Sequence, residues 1–328
     1  MAEEQKRPEP YKKFAQGMLI VKAKNSSFNS DFSGLPRRLP DSAGTIYATD
    51  KALKYCVRKY LTDANRKVFV WRRYSEEARP LNIDENYEQF FGKHTSKDKK
   101  EVLITLASAI DVRLFGVTYA GKVNVSLTGT AQISYGINKF EENLFYNSAI
   151  LSPYADVTAS EKGKDPKHQT LGNETKTLEA HYVYDFVINP NNLINSLDFL
   201  RNEEMQNILL NEGDIGLFKE AMCKGVSSIT SASKIGSDSE LFMFVEMKAN
   251  EQNGRINSHI LPLMKELVRV SSNDGKTIID LVGVFQLLNS YKECLENIEL
   301  YYDNNTTEVT GADSIPTKKK NIVTLKEM

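Results

Sequence analysis

A regular alternation of apolar and polar residues over positions 123–135 constrains the fold more than any other feature of the sequence. Val, Leu, Ala, Ile and finally Tyr side chains occupy one set of positions, and Asn, Ser, Thr and Gln occupy the other. A period of two predicts a long β-strand with one buried and one polar face. The chain must therefore build a sheet, and other segments must supply its neighbouring strands.

Further strands and helices follow in a definite order. Alternation predicts a strand at 16–24, and the largely apolar segments 181–188 and 241–248 are predicted to be two more strands. An N-cap at Thr49 followed by an apolar stripe predicts a helix to residue 61, and a second helix is predicted at 214–228. The core order is strand, helix, strand, strand, helix, strand. That is the ferredoxin-like βαββαβ order, shared with the RNA recognition motif, so we predict an α+β, RRM-like palm with large insertions.

Charge is distributed unevenly along the chain. The formal net charge is −1, yet residues 16–80 contain 13 Lys/Arg against 6 Asp/Glu. This excess is compatible with a basic face that attracts a phosphate backbone. It is equally compatible with an ordinary solvated surface.

Other features exclude several classes of site. Three widely spaced cysteines form neither a disulfide framework nor a metal-ligand motif, and the four histidines are scattered. No apolar run reaches the length of a membrane span, and the polar N-terminus lacks a signal-peptide core. We therefore expect a cytoplasmic protein with no metal, no cofactor and no membrane partner.

Four segments carry a resemblance to a known family. These are TIYATDKALKYCVRKYL, DVRLFGVTYAGKVNVSLTGTAQISYGINKFEENLF, KHQTLGNETKTLEAHYVYDFVINP and SELFMFVEMK, in that order. Together they resemble the backbone subunits of type I, in particular type I-B, CRISPR surveillance (Cascade) complexes. One departure lies after the first strand, where this chain has NSSFNSD instead of the Asn-Pro-Asn-Gly-Asp of many relatives.

The resemblance implies a right-hand shape and a non-catalytic role. The expected parts are a disordered tail at 1–15, a palm at 16–61, 122–135 and 181–303, fingers at 62–121, a thumb at 136–180, and a polar tail at 304–328. It also implies that copies polymerise head to tail along a crRNA, contact other Cascade subunits, and present guide bases to target DNA, so that base pairing reads the sequence. The thumb would carry an apolar wedge, for which Leu151, Tyr154 and Leu171 are candidates.

Candidate RNA-binding residues are cations and hydrogen-bond donors that such a role needs along one face. In the first helix they are Thr49 at the N-cap with Lys51, Lys54 and Arg58 behind it. On the first strand they are Lys22 and Lys24, which could equally be edge-strand charges. The remaining candidates are Asn25, Ser27, Arg37, Arg38, Arg113, Gln132, Ser134, His168, Thr170, Lys176 and His181. Arg113 has an alternative role as the structural partner of Asp111.

Two functions from other classes remain open. Asp31 lies in the loop where the backbone subunits of related type III complexes place a cleavage residue, although lone loop aspartates usually cap turns. A stand-alone RRM-like regulator is the other possibility, although the aromatic RNP consensus is absent. No P-loop, HExxH or GxSxG motif is present.

Overall fold

The structure, a computed structural model, describes residues 9–142, 144–155, 168–201, 205, 208–252, 255–258 and 260–328. Its helices are α1 Asp50–Asp63, α2 Ile83–Phe91, α3 Lys99–Ala107, α4 Ile110–Phe115, α5 Asn191–Ser196, α6 Glu212–Lys224 and α7 Val282–Ser290. The first strands are β1 Ala15–Ser26, β2 Tyr47–Ala48, β3 Val117–Ala120, β4 Asn124–Leu127, β5 Ala131–Ile133, β6 Gly136–Asn138, β7 Phe145–Ala155 and β8 His168–Ile188. The later strands are β9 Ser237–Met247, β10 Asn250–Gln252, β11 Arg255–Asn257, β12 Arg269–Asn273, β13 Lys276–Asp280, β14 Leu295–Tyr302, β15 Thr307–Thr310 and β16 Lys318–Asn321.

The main sheet has the order β16-β14-β9-β1-β8-β6-β2, and β5 and β7 also pair with β8. The central strand β1 is antiparallel to both β8 and β9. Along the chain, β1, α1, β5 with β6, β8, α6 and β9 reproduce the predicted order of strands and helices. The predicted α+β class is therefore confirmed, and this strand order is compatible with an RRM-like palm.

Both faces of the sheet are covered. Leu19 and Val21 of β1 pack in a core cluster with α1 and α6, while Met18 and Ile20 pack on the opposite face with α7. The predicted alternation of β1 is thus correct. Because apolar layers cover both faces of the sheet, most residues of β1 are apolar on both sides of the strand.

The region after α1 packs around a cluster of its own. Phe69, Tyr87, Leu106 and Val112 lie in this third apolar cluster, which also takes in Leu127 of β4. The cluster contains side chains from both sides of residue 121, so it crosses the predicted end of the fingers.

The single long strand predicted at 123–135 is wrong. It is two strands in different sheets, because β4 pairs with β3 and β5 pairs with β8. Gly129 lies between them, against Gly116, where a Cβ on Gly129 would come within 2.2 Å of the Gly116 nitrogen. This close backbone crossing redirects the chain between the two sheets. It also leaves Tyr135, predicted to face inward, 45% exposed.

The described residues near both ends of the chain pack into the fold. Tyr11 is 2% exposed and its backbone N–H donates to Leu210 at 2.8 Å, so the disordered tail does not extend to residue 15. At the other end, β15 pairs with β13 and β16 extends the main sheet beside β14. The polar composition of 304–328 is correct, but its strands belong to the fold.

A long hairpin extends from the sheet in the region predicted as thumb. Strand β7 pairs with the first part of β8 from Phe145↔Thr177 to Ala155↔His168. The rest of β8 pairs with β1, beginning at Ser26↔Thr177.

No helix in the described part of the chain has the length and apolarity to cross a membrane.

Candidate nucleic-acid interface

The N-terminus of α1 is capped by the protein itself. The Thr49 hydroxyl accepts a hydrogen bond from the Ala52 N–H at 3.3 Å. Thr49 also donates from its N–H and its hydroxyl to Asn29 Oδ1, at 2.9 and 3.1 Å. These contacts attach the loop after β1 to the start of α1. The predicted residue Thr49 therefore joins two segments that we expect to lie near RNA.

The predicted basic stripe of α1 is only partly a surface. Lys51 is 80% exposed, whereas Lys54 and Arg58 are 14% and 15% exposed. Lys54 pairs with Asp50 at 3.0 Å, and Arg58 donates to Asp111 at 3.1 Å. Lys54 and Arg58 also lie over the Phe115 ring. Two of the three cations predicted to bind RNA therefore contact the body of the protein, and Lys51 is the one that projects into solvent.

Lys22, Lys24 and His181 belong to one ionic cluster. His181 is fully buried, with Nδ1 at 2.5 Å from Glu240 Oε2 and Nε2 at 3.2 Å from Glu179 Oε1. Lys22 lies 3.5 Å from Glu240 and Lys24 lies 2.8 Å from Glu179. Burial alone would raise the pKa of both carboxyls. The hydrogen bonds from Lys24 and His181 outweigh burial at Glu179, and the hydrogen bond and charge of His181 do so at Glu240, so the pKa of each carboxyl is lowered.

This cluster corrects two predictions. His181 has no exposed surface with which to contact RNA. The edge-strand interpretation of Lys22 and Lys24 is also wrong, because β1 lies at the centre of the sheet. Lys24, which is 55% exposed, is the one member of the three that solvent reaches freely.

Arg113 is a structural residue. Its guanidinium forms two hydrogen bonds of 2.8 Å to Asp214, and it also donates to the Ala107 and Ser108 carbonyls. The partner predicted for it, Asp111, instead accepts from Arg58 and from the Phe69 and Val70 N–H groups. With 12% of its side chain exposed, Arg113 ties α4 to the start of α6 and does not present a cation to a ligand.

The structure brings predicted and unpredicted residues together at one edge of the sheet. Tyr47 of β2 stacks on Tyr135 beside β6, with ring centroids 5.5 Å apart, and the Arg38 guanidinium lies 5.1 Å from the Phe145 ring centroid. Ser134 Oγ accepts from the Asp185 N–H and lies 3.3 Å from Lys265 Nζ. We call Arg38, Tyr47, Ser134, Tyr135 and Phe145 the β6 edge.

The β6 edge combines exposed rings with a cation. This is the chemistry that sequence-independent binding of a single strand needs, because every base has a face that can stack and every phosphate is an anion. Sequence reasoning missed Tyr47, Tyr135 and Phe145. A signal was present in Tyr135, which follows Ser134 in the sequence, but the assignment of one unbroken strand placed Tyr135 on its buried face.

The remaining candidates are dispersed. Gln132 donates to the Gly129 carbonyl at 2.8 Å, and the Ser27 and Ser30 hydroxyls are 2.6 Å apart. Asn25 is exposed in a left-handed conformation with φ 50°. The side-chain Nε of Arg37 is buried without a hydrogen-bond partner. Lys176 lies 3.5 Å from Glu174 on β8. The side chains of His168 and Thr170, and of Leu151, Tyr154 and Leu171, lie outside the described residues.

Asp31 caps a turn. Its Oδ1 accepts from the N–H groups of Ser33 and Leu35 at 2.8 and 3.0 Å. Within the described residues, no three His, Cys, Asp or Glu side chains are grouped so as to hold a metal ion. The cysteines are unpaired, and burial raises the pKa of the Cys56 thiol to about 12.

Comparisons with known proteins give one family. The model of the family described as CRISPR-associated protein Cas7 matches residues 13–282. No curated protein matches the chain. A chain of a solved "CRISPR RNA-guided surveillance complex, pre-nicking" is similar at 11% identity and a TM-score of 0.49, covering 90% of this chain and 95% of that one. A chain of a second "CRISPR RNA-guided surveillance complex" is similar at 13% identity and a TM-score of 0.45, covering 92% of this chain and 95% of that one.

Proposed function

Because this chain belongs to the CRISPR-associated Cas7 family, we propose that it is a non-catalytic backbone subunit of a type I Cascade complex. It binds the phosphate backbone of the crRNA and leaves guide bases free to pair with target DNA. The observation that carries this proposal is the family match over residues 13–282, which contain the whole β6 edge. Subtype I-B rests on sequence resemblance alone.

The β6 edge supports RNA binding through its composition. Arg38 supplies a cation, and Tyr47 and Tyr135 supply rings at a surface that lies at the base of the β7–β8 hairpin. We propose that the hairpin is the thumb, that copies assemble head to tail along the guide, and that such a ribonucleoprotein acts in the cytoplasm with other Cascade subunits. A head-to-tail contact uses two different surfaces of the same chain, so it generates a filament and not a closed dimer.

Copurification tests the function directly. The protein would be expressed with its genomic neighbours and a repeat–spacer array, and the RNA in the isolated complex would be sequenced. We expect one discrete RNA, containing spacer and repeat ends, with several copies of this chain bound to it. Heterogeneous RNA, or no RNA, would instead favour a stand-alone regulator.

The β6 edge itself is tested by Arg38→Gln. Loss of one phosphate contact to single-stranded RNA should reduce the slope of log affinity against log salt by about 0.7. Arg269→Gln, an exposed arginine on β12, is the matched control and should leave the slope unchanged. Equal slopes for both variants would show that Arg38, and with it the β6 edge, does not contact the RNA.

The absence of catalysis is tested at Asp31. The two backbone hydrogen bonds that its carboxylate accepts give it a structural role in the loop. We expect Asp31→Ala to bind guide RNA as the wild type does, and neither protein to cut an RNA complementary to the guide. A cleavage product made by the wild type and lost in the variant would establish the enzymatic alternative.

A further inference from the structure

A second aromatic surface lies on the exposed side of α1, and the β6 edge does not include it. Tyr55 stacks on Trp71 with ring centroids 5.3 Å apart and planes 16° from parallel. Trp71 packs against the core cluster beneath α1, while Tyr55 is 50% exposed. Tyr55 thus covers the tryptophan and presents a ring to solvent.

The segment of chain that carries both rings is strongly basic. Residues 50–74 contain eight Lys/Arg against two Asp/Glu. Lys51, one helical turn before Tyr55, lies 3.4 Å from Asp50 but keeps 80% of its side chain exposed. Arg66, Lys67 and Arg72 are exposed and have no ion pair with any residue that the structure describes. These cations are available to an anionic ligand, in contrast to Lys54 and Arg58.

The segment that holds Trp71 is fixed by buried contacts. The Asp111 carboxylate accepts from the Phe69 and Val70 N–H groups at 2.8 and 3.0 Å. The Arg73 guanidinium donates to the Val68 and Phe69 carbonyls at 2.8 and 3.2 Å. Trp71 is therefore held between two anchored residues, so the stacked pair exists before any ligand arrives, which reduces the entropy cost of binding.

We propose that Tyr55, backed by Trp71, is a stacking platform for an unpaired base of single-stranded RNA. Lys51, one turn before Tyr55, and Arg72, next to Trp71, would attract the neighbouring phosphates, and Arg66 and Lys67 add to the positive charge of the segment. A ring that is exposed on one face and supported on the other can accept any base, and nearby cations make the contact salt-dependent. The platform deepens the proposed function and rests on it, because it assigns a second contact with the same class of ligand.

The single tryptophan makes the platform directly observable, because all tryptophan emission of the chain comes from Trp71. The full chain would be titrated with dye-labelled oligo(U), and anisotropy of the dye would report binding while Trp71 emission reports the platform. We expect both signals to change with the same midpoint. Tyr55→Ala should weaken binding about fivefold to a hundredfold, and Tyr55→Phe, which keeps the ring, should restore it.

Tyr291→Ala is the matched control, because Tyr291 is a 42% exposed tyrosine after α7, outside both aromatic surfaces. It should bind as the wild type does. The platform would be overturned if dye anisotropy reports binding while Trp71 emission stays unchanged and Tyr55→Ala keeps the wild-type affinity. That result would leave the proposed function standing. A wild-type chain that binds neither oligo(U) nor crRNA would overturn both.

Discussion

At the scale of single residues, burial decides whether a cation can serve a ligand. Arg113 is the sharpest case, because its two bonds to Asp214 are made where both side chains are nearly inaccessible. Arg113→Ala would leave the Asp214 carboxylate buried without its partner. We expect the free energy of unfolding to fall by about 3–5 kcal/mol in urea denaturation.

The stability control for this variant is Lys51→Ala, which removes an exposed cation and should change the free energy of unfolding by less than about 0.5 kcal/mol. If Arg113→Ala instead unfolds like the wild type but loses RNA affinity, the structural assignment of Arg113 is wrong.

A second residue, Glu299, makes the stability of the protein sensitive to acid. Burial alone would raise its pKa, but the hydrogen bond from Lys219 and the charges of Lys219 and Lys320 outweigh burial and lower the pKa to about 2, from an ordinary value of 4.5. A carboxyl with a depressed folded-state pKa contributes stability above its unfolded pKa and loses it as pH falls through the folded value. The wild type should therefore lose stability between pH 4.5 and 2.

Glu299→Gln should flatten that loss, and thermal unfolding across the same pH window measures it. The exposed carboxylate of Glu308 on β15 offers the control Glu308→Gln, which should retain the wild-type dependence. Indistinguishable profiles for the wild type and Glu299→Gln would mean that other groups govern the acid transition.

At the scale of elements, the crossing at Gly129 determines how the chain passes from one sheet to the next. A Cβ there would lie 2.2 Å from the Gly116 nitrogen and 2.4 Å from the Leu114 carbonyl oxygen, both backbone atoms that cannot move independently. We expect Gly129→Ala to lower the free energy of unfolding by about 3 kcal/mol, at the upper end of overpacking costs.

The matched control is Gly216→Ala in α6, where an added Cβ meets no atom within 4 Å. Removing a helical glycine should stabilise the protein by about 0.5–1 kcal/mol. Chemical denaturation of the two variants should thus give changes of opposite sign, and a harmless Gly129→Ala would show that the backbone crossing is looser than the structure indicates.

The same elements show what the sequence could and could not predict. A long apolar run located β9. Periodicity located β1, α1 and α6, where apolar residues recur at the spacing of a strand or a helix. It failed at residues 123–135 because two short strands on either side of Gly129 keep the same alternation while belonging to different sheets. The break depends on contact with Gly116, which local pattern does not record.

Site residues were harder to predict than elements for a related reason. The sequence gives the identity of a cation but not its partner, and here Arg58, Arg113 and His181 all have carboxylates brought from distant parts of the chain. Aromatic contacts have the same property, since Tyr55 meets Trp71 and Tyr47 meets Tyr135 only in the folded protein. Of the predicted cations, Arg38 and Lys51 are exposed in the folded protein.

At the scale of the whole molecule, the β7–β8 hairpin can be separated from the sheet that carries it. Strand β6 pairs within the sheet, and β8 pairs with β1 from Thr177 onwards, so excising the whole of 136–180 would damage the main sheet. Phe145 and Thr177 face each other directly at the base of the hairpin. Replacing residues 146–176 by Asn-Gly would close that pair with a two-residue turn, the favoured connection between antiparallel strands.

This shortened chain distinguishes binding from assembly. The sheet and both apolar clusters against it remain intact, so we expect cooperative thermal unfolding close to that of the wild type and retained binding of one copy to a short RNA. On an RNA long enough for several copies, the mass of the complex should drop from a multiple-copy filament to singly bound chains, because the proposed thumb no longer reaches the neighbouring subunit. A wild-type ladder of masses from the shortened chain would place the head-to-tail contact elsewhere on the palm.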